Sequence, residues 1–414
     1  MSRKNLVAWG IAAFGALLGL LYSGVSTADF AAHLDRQLHP ISCTLFPGMA
    51  EASQLDQATE GCKTALFSPY SSFWRDRYWG GIPWSLPGLG LYAFAFALCI
   101  WAFVTRRGHE IPPNLALAFS ALVAAGTSLV FFYLSMTRLH TFCTTCLGSY
   151  IGAAFLLIGA AGVLRFSHTD RFVTRPGSPV GGALFFWIGV HLLELGIAVA
   201  LPVAVYARTL PDYDSYVRGC ETLRDLKPPE GTVLTVKNAT AAPLVDGFLV
   251  LDPLCPACKS LHERLVASEY GPRLSFRALL FPLDAECNWM LKDSMHPGAC
   301  LVSRALLCAA DRAGEVLDFV LQNQEALRMD GIGKRLDKVR ERITSQFPAI
   351  ADCLDRPETK IRLNKALHLA ADLALPVITP QVYLNGRRLC DEDTDLGLTF
   401  ALARLIEREA GGTP

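Results

Sequence analysis

Charge is what this sequence has least of. Only 18% of its 414 residues are Asp, Glu, Lys or Arg, and the two signs cancel to a formal net charge of zero. Lysines and arginines are scattered, with no basic block, so no nucleic acid partner is expected. There is no internal repeat, which sets aside solenoids and propellers, and no low-complexity tract, which sets aside long disordered arms. What replaces charge is apolar surface. Hydrophobic residues make up 51% of the chain and its mean hydropathy is positive, the balance of a membrane protein. The length leaves room for two or three domains.

Five apolar runs stand out, at 6–25, 84–104, 115–137, 147–164 and 183–206. The first four carry no charged residue, and each is about long enough to cross a hydrocarbon core. The basic residues between them set the orientation. Arg3 and Lys4 precede the first run, Arg106 and Arg107 follow the second, and Arg165, Arg171 and Arg175 follow the fourth. Alternating crossings place all three groups on one side, the cytoplasmic one. The other side then receives residues 26–83, the turn at 138–146 and everything after 206. Every cysteine except Cys99 falls there, and thirteen cysteines in such a chain call for an oxidising compartment. A cleaved leader is the alternative for the first run, but its apolar stretch is longer than a usual leader core.

The most informative stretch is Cys143-Thr-Thr-Cys146-Leu-Gly-Ser-Tyr150, a CxxC opening the fourth apolar run. Thiols three apart on a first helical turn face the same way, and the helix N-terminus favours a thiolate. The motif therefore fits a reversible dithiol switch at the membrane boundary. Half of a zinc site is the alternative, but no second ligand pair at matching spacing lies nearby.

Upstream come Cys43 and Cys62, then Ser68 six residues after Cys62, then Gly81-Ile82-Pro83 entering the second apolar run. Tyr150 lies four residues beyond Cys146. This ordered set, over about residues 6–165, resembles the membrane core of the vitamin K epoxide reductase family, especially its bacterial homologues. The resemblance implies that Cys143 and Cys146 exchange electrons with a quinone (ubiquinone or menaquinone), Cys146 being proximal to it and Cys143 meeting the loop. It makes Cys43 and Cys62 the shuttle pair and Ser68 and Tyr150 neighbours of the quinone. Two departures appear. The loop cysteines are separated by 18 intervening residues, wider than usual, and the second helix lacks the asparagine of the animal enzymes' pocket. The second departure favours quinone-coupled thiol oxidation over epoxide reduction.

Other residues here have plainer readings. Phe73, Trp74, Tyr78, Trp79 and Trp84 line a quinone site or, more simply, form an interfacial belt on a short helix lying on the membrane. Arg138 and His140 either bias the nearby thiolate or are ordinary interfacial residues. Cys99 is a small buried hydrophobe. His191 and Glu194, three apart in the fifth run, are functional candidates as intramembrane ionisable groups or else a simple pair.

From about Asp212 the chain turns charged and proline-punctuated, as in a soluble domain. Strands are expected at 233–237, 247–252, 274–283 and 381–384, with Cys255-Pro-Ala-Cys258 and a helix at 259–266 following the second. A helical stretch spans roughly 298–372, then come Thr379-Pro380, the turn Asn385-Gly386 and a last helix near 393–408. The order resembles the thioredoxin fold with a helical insertion, near the periplasmic disulfide oxidase and isomerase branch. The resemblance implies a cis Pro380 beside the CxxC, substrate docking at Thr379 and Pro380, an exposed nucleophile Cys255 and a buried resolving Cys258. Pro256 and Ala257 give the thiolate neither charge nor hydrogen bond, which predicts a potential below the about −120 mV of the strongest oxidases. A zinc role for this CxxC is disfavoured by its strand–CxxC–helix setting. Six more cysteines are read as structural. Cys287 with Cys300 and Cys308 with Cys353 are reasonable guesses among fifteen pairings.

The expected architecture is a membrane α-helical bundle, with a four-helix core plus a fifth linking helix, followed by an α/β thioredoxin-like domain with a helical insertion. Its expected boundaries are 1–175, 176–230 and 231–414. The expected function is a quinone-dependent membrane thiol oxidoreductase promoting disulfide formation, without a metal, in a bacterial inner membrane. Its partners are quinone, reduced extracytoplasmic protein thiols and the lipid bilayer. Two alternatives stand beside it: a reductase acting mainly on a quinone or vitamin K-like epoxide, and a non-catalytic anchor for a soluble thiol-disulfide domain.

Overall fold

The computed structural model describes residues 2–35, 41–42, 62, 65–139, 143–171, 181–214, 217, 220–223, 228–240 and 245–410. Cys43, His140 and Arg175 lie outside the described residues. Contacts divide the chain into two units, Met1–Pro211 and Asp212–Pro414.

The first unit is helical. Its long helices are α1 (Arg3–Ala32), α2 (Ser85–Thr105), α3 (Ile111–Leu134), α4 (Thr144–Arg171) and α5 (Gly181–Thr209). All five include stretches long and apolar enough to cross a membrane. Helices α1, α4 and α5 reach past their apolar runs at both ends, α2 starts one residue into its run, and the run of α3 continues into a π-helical turn. Ser2 accepts from the Asn5 N–H at the start of α1, and Asn5 and Trp9 side chains donate to the Gly108 carbonyl between α2 and α3. Small residues let α1 and α4 approach at backbone distance. A Cβ on Gly159 would meet the Ala12 nitrogen at 2.3 Å, and one on Gly15 the Leu156 nitrogen at 2.3 Å. Such close seams are how helices associate where lipid removes the hydrophobic drive. The core around them holds Trp9, Leu98, Leu117, Leu156 and Val163, with Cys99 fully buried among them. Helix α5 touches α2 where Gly90 meets Ala198, while Phe185, Phe186, Leu193 and Leu201 point outward. His191 and Glu194 pair with each other at 2.8 Å.

The aromatic cluster after Ser68 departs from the expected short helix. It is an antiparallel hairpin, β1 (Ser72–Phe73) against β2 (Ile82–Pro83). Gly80 and Gly81, both with φ of 75°, take the left-handed turn that a helix would not allow. The Ser72 hydroxyl donates to the Gly80 carbonyl at 2.6 Å, and Arg75 ties Ser68, Ser71 and Ser72 together. Trp79 is buried, whereas Trp74 and Trp84 are about half exposed.

The second unit is built on a five-stranded sheet: β3 (Val233–Lys237), β4 (Val245–Leu251), β5 (Leu274–Leu280), β6 (Gln381–Leu384) and β7 (Arg387–Arg388). The spatial order is β3-β5-β4-β6-β7, with β4 and β5 parallel and the remaining pairs antiparallel. The crossover from β4 to β5 runs through α6 (Pro256–Ala267). Between β5 and β6 lies the insertion, α7 (Ala299–Ala309), α8 (Ala313–Gln322), α9 (Gln324–Ile332), α10 (Leu336–Gln346) and α11 (Pro357–Asp372). Helix α12 (Leu398–Ala410) closes the unit. Phe248, Val250, Leu279 and Tyr383 of the sheet bury against Ala366, Leu367 and Ala370 of α11. Asn385 and Gly386, at φ of 46° and 77°, make the tight β6–β7 turn.

Three disulfides staple this unit: Cys287–Cys300, Cys308–Cys353 and Cys220–Cys390. Their Cα separations of 5.9, 5.8 and 5.2 Å lie in the ordinary range. The last joins the segment before β3 to the sheet edge, where Thr222 also bridges Arg387. Asp214 pairs with Arg404 of α12 at 2.6 Å. Residues just past 211 are thus held to the second unit.

Candidate active site

Two dithiol centres are present, one in each unit. In the first, Cys143 stands immediately before α4 and Cys146 one turn in, joined by a disulfide with Cα atoms 5.2 Å apart. The helix N-terminus aims its free N–H groups at the pair, and the Cys146 N–H lies 3.2 Å from the Cys143 sulfur. Cys62 is packed against Cys143, together with Ile41, Ala65 and Cys146. Its sulfur is 3.6 Å from the Thr144 hydroxyl and 3.9 Å from that of Thr145, and it too is disulfide-bonded. Thr145 in turn donates to the Ser42 carbonyl at 2.9 Å, clasping the loop to the helix.

These sulfurs open on a cavity of about 200 Å³. Leu66, Trp84, Phe131, Leu134 and Leu139 supply apolar wall, and Ser68 and Tyr150 line it as well. The Ser68 hydroxyl donates to the Ala65 carbonyl at 2.8 Å and accepts from the Tyr70 N–H, so it also fixes the start of the hairpin. Tyr150 stands edge-on to Phe132, with ring centres 6.1 Å apart. Cys62, Cys143, Cys146, Ser68 and Tyr150, singled out along 89 residues of chain, therefore share one chamber. A largely apolar wall edged by hydroxyl side chains, with an adjacent disulfide, suits a flat, weakly polar, redox-active ring. Arg138 is exposed at the end of a π-helical turn, Ser135–Leu139, and does not line the chamber.

The second centre sits where β4 ends. Cys255 is the N-cap of α6, and Pro256 takes the first helical position, where a missing N–H costs nothing. Cys258 follows one turn later. Both are free thiols; among the described residues only Cys99 shares that state. Thr379–Pro380 is cis, and the Thr379 carbonyl accepts from the Cys255 thiol at 3.6 Å. Cys255 is only 5% exposed, more covered than expected, because this loop lies over it. The Cys255 thiol is drawn down to about 6, first by a hydrogen bond from Cys258, against the opposing effect of burial. The Thr379 side chain and the His296 charge help. Cys258 is pushed well up by burial, with Cys255 and Asp252 adding. The two sulfurs are thus split into an ionised and a protonated partner, as nucleophile and resolver require.

Three supports of this centre were not read from the sequence. Asp252 is fully buried; its carboxylate accepts from the Leu254 and Leu283 N–H groups, both at 2.7 Å, and bonds His296 Nδ1 at 2.7 Å. Gln324 at the start of α9 donates to the carbonyls of Pro253 and Cys255, at 3.1 and 3.0 Å. A carboxylate three residues before a CxxC, at a strand end, is a recognisable cap for the turn. Nothing local marks His296 or Gln324.

Residues 10–161 match the model of the vitamin K epoxide reductase family. No curated protein matches the chain. Among solved structures it is similar to reduced DsbA1 from Neisseria meningitidis, at 17% identity and a TM-score of 0.30 over 46% of this chain and 100% of that one. A thioredoxin-like oxidoreductase from Silicibacter pomeroyi DSS-3 is similar at 14% identity and a TM-score of 0.27, over 42% of this chain and 91% of that one. The thioredoxin-like character of the second unit rests on its own sheet order, its CxxC at a helix N-cap and its facing cis proline. Dithiol centres in both units and five apolar helices make this a membrane thiol–disulfide oxidoreductase. The chain carries a vitamin K epoxide reductase family domain at residues 10–161, fused to a thioredoxin-like domain.

Proposed function

We propose that this protein makes disulfides in extracytoplasmic proteins and passes the electrons to a membrane quinone. A client thiolate attacks Cys255 of the oxidised Cys255–Cys258 pair, and the client's second thiolate then resolves the mixed disulfide. Thr379 and Pro380 offer the backbone edge at which the client docks. The reduced pair gives its two electrons to Cys43–Cys62, and that pair gives them to Cys143–Cys146. Each transfer forms one S–S bond and breaks another, and two protons leave with the electrons. A quinone (ubiquinone or menaquinone) takes up both electrons and both protons at Cys146. Ser68 and Tyr150 border its ring. Fusion raises the effective concentration of the soluble pair at the membrane pair to about millimolar.

The single observation that carries this reading is the chamber itself: Cys62, Cys143 and Cys146 open on one largely apolar cavity that Ser68 and Tyr150 also line. Charge placement supports a cytoplasmic N-terminus and an extracytoplasmic second unit in a bacterial inner membrane. The test is quinone reduction by the full-length protein supplied with a reduced client, comparing wild type with Cys146→Ser. Cys146→Ser is expected to abolish reduction while leaving a single round of client oxidation intact. Unchanged turnover in a variant with serine at both Cys143 and Cys146 would instead make the first unit an anchor.

A further inference from the structure

The dipeptide inside Cys255-Pro-Ala-Cys258 offers its thiolate no charge, yet the fold brings one from 41 residues downstream. His296 lies near the end of the segment that links β5 to α7. The Cys287–Cys300 disulfide closes that segment, and Asp284, 3% exposed, accepts from the Gly298 and Cys300 N–H groups at 2.8 and 3.3 Å. The His296 N–H donates to the Leu283 carbonyl at 3.0 Å. Its ring is then fixed by the 2.7 Å bond from Nδ1 to Asp252, and only 10% of the side chain is exposed. Asp252 also holds the turn leading into Cys255, through the Leu254 N–H and through its carbonyl, which accepts from the Cys255 N–H at 3.1 Å. One carboxylate therefore anchors both the reactive turn and the imidazole.

We propose that His296, anchored on Asp252, is a positioning residue for disulfide exchange, its imidazolium standing beside Cys255 as counter-charge to the leaving thiolate. When the second client thiolate forms the product S–S bond, the mixed disulfide breaks and its electron pair stays on Cys255. The imidazolium stabilises that sulfur without giving up its proton, and the client's protons go to water. Burial works against the charge on His296, but the Asp252 bond and charge, with the Cys255 thiolate, more than offset it. Arg328 is the opposing neighbour. The charged and titratable groups that act on the ring are thus Asp252, which it touches, with Cys255 and Arg328.

This inference rests on reading Cys255 as the sulfur that meets the client. The experiment measures alkylation of Cys255 by iodoacetamide against pH in the reduced full-length protein, resolved by peptide mass spectrometry. His296→Asn and His296→Gln keep a polar group near Asp252 and remove the charge, while His296→Lys keeps the charge. Both neutral variants are expected to raise the midpoint by about half to one unit, cutting the thiolate fraction at pH 6 about two- to fivefold. His296→Lys is expected to restore most of it. Unchanged midpoints in the neutral variants, or an equal rise in the lysine variant, would overturn the proposal. Client oxidation by Cys255→Ser would overturn the underlying reading instead, and it leaves the alkylation result separately readable.

Discussion

Lowering the pH through 6 is expected to switch off the soluble centre by protonating Cys255, and the size of the effect can be worked out in advance. The thiol is drawn from an ordinary 9.0 to about 6. At pH 7 it is then about 90% ionised, against about 1% for an ordinary thiol of that value. A less basic thiolate is also a weaker nucleophile. With a Brønsted slope near 0.45, a drop of three units costs about twentyfold in intrinsic reactivity. The net advantage in alkylation is about fourfold at pH 7 but about fortyfold at pH 5, where the ordinary thiol is almost wholly protonated. The sign for stability follows from the depressed value. The reduced fold gains from the ionised Cys255 as pH rises toward 9, keeps part of that gain at pH 7, and loses it as pH falls through 6. That gain belongs only to the dithiol, so it makes the disulfide form a stronger oxidant than the same disulfide with an ordinary thiol would be. The assay is peptide-resolved alkylation of Cys255 from pH 4 to 9, with the same peptide in denaturant as the reference. A midpoint above about 8, or no excess rate at pH 5, would refute the reasoning.

Gln324→Leu keeps side-chain volume but strips the hydrogen bonds to Pro253 and Cys255. The Cys255 carbonyl keeps its bond from the Lys259 N–H; the Pro253 carbonyl, left bare, costs about 1–3 kcal/mol, which lowers the melting transition of this unit by about 2–12 °C in calorimetry. An unchanged transition would remove Gln324 from the support of the turn. Gly159→Val drives a side chain into the Ala12 backbone, whereas Gly189→Val meets nothing within 4 Å. The first is expected to destabilise the bundle by about 3 kcal/mol or more and to lower the yield of monodisperse protein in detergent, the second to leave it unchanged. Equal behaviour of the two would argue against the α1–α4 seam.

Periodicity and punctuation make most of the fold legible in the sequence. The five apolar runs map onto five helices with ends shifted by a few residues, and Val233–Lys237 and Gln381–Leu384 are strands at their expected bounds. The turn residues Asn385 and Gly386 do what their chemistry allows. What escaped is the hairpin after Ser68, where aromatic residues look like an interfacial helix until the left-handed Gly80 and Gly81 are considered. The α1–α4 seam escaped too. Glycine four apart in an apolar run reads as permissive flexibility, and only the facing helix shows that the space is needed.

The two centres differ in how far local sequence describes them, and the difference follows from how each is built. In the membrane unit the chemistry comes from short-range spacing, Cys62 to Ser68 and Cys146 to Tyr150, and helix geometry carries those side chains into one chamber. In the soluble unit the CxxC supplies two sulfurs, but the charges around them come from elsewhere. Asp252 is adjacent, His296 arrives on a disulfide-closed segment, and Gln324 starts a helix of the insertion. A dipeptide without charge predicts an unremarkable thiol; the ionisation of Cys255 depends on the groups that the fold brings to it. Even so, a thiol near 6 lies well above the about 3.5 of the strongest periplasmic oxidase. The low charge of the CxxC dipeptide and the compensating histidine therefore point to the same intermediate oxidant. Its potential is expected to fall below about −120 mV, high enough to take electrons from client thiols and low enough to pass them onward to the membrane pair.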